Sequence, residues 1–170
     1  MMEGKRVEES SVVLCHVMLP QDANPAGLVH GGAIMKQIDN AAGVAATKHT
    51  RTVCVTASID RLDFYHPVQV GNLVTFKASL NQVGRTSMEV GVRIETEDLL
   101  TGKKNHTASA YLTFVAFGPD FKPVEIPPLI LDNDVERRRN REAENRRKIR
   151  LAEKKNEKLH QEDVDNCECD

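Results

Sequence analysis

One segment restricts the fold more than any other. Residues 31–50 carry Ile34, Ile38, Ala41, Ala42 and Ala45 at three- and four-residue spacing, which predicts a helix with one apolar face. Alternating strands follow it. In 73–80, Val74, Phe76, Ala78 and Leu80 face one way and Thr75, Lys77 and Ser79 the other. The pattern returns at 87–95, where Met88, Val90, Val92 and Ile94 oppose Glu89, Arg93 and Glu95. A single alanine-faced helix can lie close across one antiparallel sheet, which gives an α+β domain.

The remaining elements fit this order. Residues 10–19 read as a strand and 20–30 as a loop punctuated by Pro20, Asp22, Asn24, Pro25 and Gly27. Segment 53–59 is a further strand that leads into 61–68, where Pro67 and Gly71 end the run. Residues 107–117 are apolar on both faces in their second half, which marks a central strand. One helix covers only one face of the sheet, so the other face or an edge is expected to meet another subunit.

The chain divides into 1–9 as a lead, 10–131 as the folded domain and 132–170 as a charged tail. The average of 28% charged residues conceals that split. From Arg137 to Lys158 there are eleven Lys/Arg against four Glu, a local charge of +7. This reads as a helical, solvated or partly disordered segment. No aromatic residue interleaves with the charges and the whole chain is at −2, so nucleic acid is not an expected partner. No apolar run approaches a bilayer span and the first residues lack an apolar signal core, so a cytoplasmic protein is expected. Cys15 and Cys54 sit in strand-like runs and are expected as buried thiols. Cys167 and Cys169 lack partners at metal-ligand spacing. No metal, nucleotide-loop or dinucleotide motif appears, and no cofactor is expected.

Asn24-x-x-Gly27-x-x-x-Gly31-Gly32 followed by Asp39 resembles a hotdog-fold acyl-CoA thioesterase of the bacterial and cytosolic acyl-CoA hydrolase group. Three further segments carry the resemblance in order: Thr56 to Phe64, Pro67-Val68-x-Val70-Gly71, and Gly84-Arg85-Thr86-Ser87-Met88-Glu89-Val90. A fourth is Ala110-x-x-Thr113-Phe114-Val115-Ala116. Together they span roughly residues 10–120. The resemblance implies a five-stranded antiparallel sheet wrapped around one long central helix. It also implies dimers, commonly joined as trimers of dimers, and hydrolysis of fatty acyl-CoA to a fatty acid and CoA.

By that resemblance Asp39 is the general base that activates water, or a nucleophile that forms an anhydride. Its helical neighbours are largely apolar, and a carboxylate held partly out of water is a stronger base. The competing role is an anchor between helix and strand. Asn24 is implied as the second active-site residue, holding the carbonyl or the water; on composition it reads first as a turn residue. Gly31 and Gly32 would expose helix N-terminal amides to a carbonyl, an oxyanion site, or simply form a tight turn. Arg85, Thr86 and Ser87 are assigned to CoA phosphates, in competition with an ordinary polar turn. Arg61 and Ser58 are weaker candidates of the same kind. His30 is a candidate pocket residue without a catalytic role, and His66 is read as structural.

Gly32 and Asp39 are seven residues apart, roughly 10 Å at ~1.5 Å per residue. One helix hardly presents both to one carbonyl. The site is therefore expected at a dimer interface, with Asn24 and Gly32 from one chain and Asp39 from the other. Met35, Ile38, Phe64 and Val68 are expected to size the acyl tunnel. Two alternatives stay open: a non-catalytic acyl-CoA sensor, and a dehydratase on 3-hydroxyacyl thioesters. The second needs a catalytic histidine where this chain has Asn24 and Asp39.

Overall fold

The structure is a computed structural model that describes residues 2–60 and 62–167, with 158–167 by backbone alone. Its order is β1 (Lys5–Arg6), α1 (Val7–Ser10), β2 (Val12–Val17), α2 (Gly31–Thr50), β3 (Val53–Ile59), β4 (Asp63–Phe64), β5 (Leu73–Val83), β6 (Ser87–Glu97), β7 (Lys104–Phe117), β8 (Leu129–Ile130) and α3 (Asp134–Cys167). The main sheet runs β2-β5-β6-β7-β3 and is antiparallel throughout, with β4 also paired to β7. It curls around α2, the hotdog arrangement.

α2 forms where the sequence is rich in alanine, the strongest helix former. It ends at Arg51, which takes the left-handed conformation at φ 59°. Its face of Ile34, Ile38, Ala41, Ala42, Ala45 and Ala46 is fully buried. Small side chains let the helix sit close to the inward residues of β5, β6 and β7. Those are the alternating apolar sets Val74–Leu80, Met88–Ile94 and Ala108–Ala116, with Phe76 and Phe114 the largest.

Three local expectations change. Ser10 ends the short helix α1, and the strand expected over 10–19 is β2, which begins at Val12 and ends at Val17. Cys15 is exposed, because β2 is a sheet edge whose Val13, Cys15 and Val17 point outward; Cys54 is half-buried. The tail is not a solvated segment throughout: α3 is continuous from Asp134, and its first half packs on the outer sheet face. Ala143 is fully buried there. Arg146 donates to both carboxylate oxygens of the buried Glu89, at 3.1 and 2.7 Å, and its guanidinium stacks 3.7 Å above the Tyr111 ring. Asn81 Nδ2 adds a 3.0 Å bond to Glu89. Arg150 Nη1 donates to both carboxylate oxygens of Asp60, at 3.1 and 2.8 Å. A charged helix thus finds partners on a face whose own residues are polar, and a hydrophobic stripe is not required. No helix among the described residues is long and apolar enough to cross a membrane.

Candidate active site

The loop before α2 is fixed by its own polar groups. Val29 N donates to Val68 O at 2.9 Å and His30 N to Asp22 O at 2.7 Å. Asn24 organises the turn: its Oδ1 accepts from Ala26 N at 2.9 Å and Leu28 N at 3.2 Å, and its backbone carbonyl accepts from Gly27 N at 2.9 Å. Gly27 stands at φ +77°, where a side chain would be strained. Both partners of the Asn24 side-chain oxygen are donors, so the atom facing them is the oxygen and the NH2 group is left over. That NH2 has no partner among the described residues. The turn role and the site role expected of Asn24 therefore use different atoms.

The α2 N-terminus departs from the expectation in one respect. Gly32 N–H donates to His30 Nδ1 at 2.9 Å, so His30 is the helix N-cap and this amide is engaged. Ala33 N donates to His30 O. Gly31 N–H makes no hydrogen bond among the described residues. Asn24 and Gly31 line one cleft with Ile34, Phe64, His66 and Val68.

Asp39 stands elsewhere. It is half-buried, two turns along α2, and its Oδ1 accepts a 2.6 Å hydrogen bond from the hydroxyl of Thr56 on β3. It borders an open cleft with Gly43, Thr47, Cys54, Thr56 and Phe114. Within one chain, then, Asn24 and Gly31 face one cleft and Asp39 another. Thr56, which the sequence reading did not single out, is brought to Asp39 by the structure. Its signal was available: it is a hydroxyl on the half-buried face of the strand packed beside α2.

The other candidates scatter. Arg85 is exposed at the β5–β6 turn with Thr86 and Ser87 half-buried beside it. Ser58 lies on the half-buried face of β3, just past a bulge. Arg61 lies outside the described residues. Of the expected tunnel residues, Ile38 is a core residue at 1% exposure and Val68 is buried, whereas Met35 and Phe64 are exposed. The helix turns Ile38 toward the sheet, away from either cleft.

A carboxylate steadied by a hydroxyl can serve as a base, and a carboxamide beside a free helix amide can donate to a carbonyl oxygen, and one chain holds the two sets in separate clefts. Comparison with known proteins gives the family. The Thioesterase superfamily profile matches residues 26–103. The chain is 34% identical to the uncharacterized acyl-CoA thioester hydrolase YkhA of Bacillus subtilis, over 96% of this chain and 93% of that one. It superposes on Bacillus cereus acyl-CoA hydrolase with a TM-score of 0.85 at 38% identity, covering 92% of this chain and 98% of the other. Staphylococcus aureus acyl-CoA hydrolase, solved with butyryl coenzyme A, coenzyme A and coenzyme A disulfide, gives 0.86 at 34%, covering 94% and 98%. Variants of that enzyme with an aspartate, an asparagine or a threonine changed to alanine are equally similar.

The chain belongs to the hotdog acyl-CoA thioesterase family. It is an acyl-CoA thioester hydrolase, and the sensor and dehydratase readings are set aside.

Proposed function

We propose that the active site is completed across a dimer, hydrolysing fatty acyl-CoA between Asn24 and Gly31 of one chain and Asp39 of its partner. The observation that carries this is the separation of the two clefts. One holds donors and, among the described residues, no carboxylate; the other holds a carboxylate and, among the described residues, no free helix amide. A second copy related by two-fold symmetry supplies what each lacks. The β3 edge offers a surface for it: Val53, Val55 and Ile59 are 57%, 48% and 41% exposed on a strand that pairs with β7 on one side only, a composition that favours edge-to-edge pairing. A related acyl-CoA thioesterase is hexameric, and a trimer of such dimers is the assembly proposed here.

In the reaction, the thioester carbonyl accepts hydrogen bonds from Asn24 Nδ2 and Gly31 N–H. Gly32 N–H joins them if His30 turns away. Asp39 removes a proton from water, whose oxygen bonds to the carbonyl carbon. The developing oxyanion is held by the donors. The C–S bond then breaks, and the CoA thiolate takes the proton from Asp39. If Asp39 is the nucleophile instead, its carboxylate displaces the thiolate and water cleaves the anhydride. Thr56 holds Oδ1 in either case and leaves Oδ2 to react. In the Staphylococcus aureus variants the altered asparagine, aspartate and threonine are spaced 15 and 17 residues apart, the spacing of Asn24, Asp39 and Thr56. CoA phosphates are assigned to Arg85, Thr86 and Ser87, with Ser58 and Arg61 nearby in sequence to the β3 end. The route uses no cofactor beyond the CoA of the substrate. Residues 10–131 are the catalytic unit, and a cytoplasmic location suits its substrate.

The test is CoA release, followed with a thiol reagent, across acyl-CoAs from acetyl to palmitoyl. Wild type should turn over, and Asp39→Ala should lose at least about 100-fold in kcat. Undiminished turnover by Asp39→Ala would refute the assignment.

A further inference from the structure

The C-terminal helix delivers one more group to the β5–β6 turn. A Cβ placed on Gly84 would lie 3.5 Å from Arg147 Nη2 and 3.7 Å from its Cζ. The Arg147 guanidinium therefore rests against the same turn that carries Arg85, Thr86 and Ser87. The helix is held in that register by the neighbouring residue, since Arg146 is forked onto buried Glu89.

The arginines of α3 divide by what they touch. Arg137, Arg138, Arg146 and Arg150 each find a carboxylate. Arg147 is half-buried and finds none among the described residues. Arg85 finds none either. The backbone amides of Arg85 and Thr86 and the hydroxyls of Thr86 and Ser87 also donate no hydrogen bond among the described residues. Two guanidiniums from distant parts of the chain thus share one turn with unused donors and no counter-charge. A turn that carries one arginine and is touched by the guanidinium of another favours an anion. Paired guanidiniums with backbone amides match a phosphate with several oxygens.

We infer that Arg147 binds the phosphate portion of the CoA substrate together with Arg85, so that the C-terminal helix is part of the substrate site. This rests on the assignment of the 84–87 turn to CoA phosphates. It gives the basic helix a role in the reaction that its packing alone does not. Arg147 is a binding residue: it acts on capture of the nucleotide and not on the acyl carbon.

The test uses the full chain and the acyl group with the highest wild-type kcat/KM, offered as acyl-CoA and as acyl-pantetheine, which lacks the phosphates. Arg147→Ala should raise KM for acyl-CoA by about tenfold, the loss of one charge-assisted contact, with kcat within about twofold. Both constants for acyl-pantetheine should stay at wild-type values. Arg147→Lys should recover part of the loss, and the Kd of CoA measured by calorimetry should rise in step with KM. Arg141→Ala, the same charge change at an exposed position of α3, should leave KM unaltered. If Arg85→Ala weakens acyl-CoA selectively and Arg147→Ala does not, the turn holds phosphates without the helix and the inference fails. If neither variant discriminates the two substrates, the turn assignment itself fails and the inference with it. Equal damage by Arg147→Ala to both substrates would make the contact purely structural and also overturn it.

Discussion

The hydroxyl of Thr56 donates a 2.6 Å hydrogen bond to Oδ1 of Asp39, tying the carboxylate of the central helix to the edge strand of the sheet. This fixes which oxygen is available. Thr56→Val keeps the shape of the side chain and removes the donor. It should lower kcat roughly tenfold, the worth of one hydrogen bond that positions a charged group. Thr56→Ser should restore most of it. A kcat unchanged in Thr56→Val would show that the carboxylate needs no such guide.

Asn24 allows a cleaner separation of turn and catalyst. Its Oδ1 holds the loop through Ala26 N and Leu28 N, and an aspartate can accept the same two bonds. Asn24→Asp should therefore keep Tm within a few degrees. It should lose about 100-fold in kcat, because the NH2 donors are gone and a negative charge faces the oxyanion. Thermal melts beside steady-state kinetics would check both halves. A large fall in Tm with proportionate loss of activity would mean the residue serves the turn alone.

The docking of α3 predicts two unequal truncations. Residues 151–157 are exposed, so a chain ending after Arg150 should melt close to wild type. Arg146→Ala leaves Glu89, whose side chain is 3% exposed, without its cation. Breaking such a pair from one side costs about 3 kcal/mol or more, so urea midpoints should fall clearly. Replacing both, as Glu89→Gln with Arg146→Met, should recover much of the loss. A solvated tail would give no effect in any of these variants.

His49 makes stability depend on pH. It is fully buried, with Nε2 2.9 Å from Pro127 O. That carbonyl can only accept, so Nε2 carries the hydrogen. Nδ1 is then a bare acceptor, buried without a partner among the described residues. Burial pushes the imidazole below its usual 6.5, with Lys5 adding to it and the Pro127 bond opposing. The folded state therefore takes its proton later than the unfolded chain. Stability is complete above pH ~6.5 and declines as pH falls below it. Tm measured from pH 8 to 5 should slope downward below pH ~6.5, and His49→Gln should flatten that slope.

The sequence made the catalytic half of the fold legible because its period was unambiguous. Alanine and isoleucine at helical spacing placed α2 from Gly31, and alternation placed β5 and β6. The elements it hid were the shortest: β1, β4 and β8 are two residues each and α1 is four, too short for any pattern. The packing of α3 was hidden for a different reason. Its contact rests on Ala143, the stem of Arg146 and Asn140, which donates at 2.9 Å to Asn81 O, and hydropathy counts most of that as solvent-facing. Glu89 on a strand face, opposite no visible cation, was the available clue. Asn24 and Asp39 were legible only through the motif that carries the family resemblance. Thr56, and the engagement of Gly32 N–H by His30, depend on side-chain geometry that spacing does not convey.

The central claim is that each site draws on two chains. It is tested most directly by co-expressing Asn24→Ala and Asp39→Ala chains under different tags and isolating mixed oligomers. Each variant alone should be nearly inactive. In a mixed two-fold dimer, one of the two sites combines the intact Asn24 of one chain with the intact Asp39 of the other, so an isolated mixed dimer should show about half of wild-type activity and randomly paired dimers within a mixed hexamer about a quarter. If each chain held its own complete site, no intact site could form, and mixtures as inactive as the parents would contradict the account.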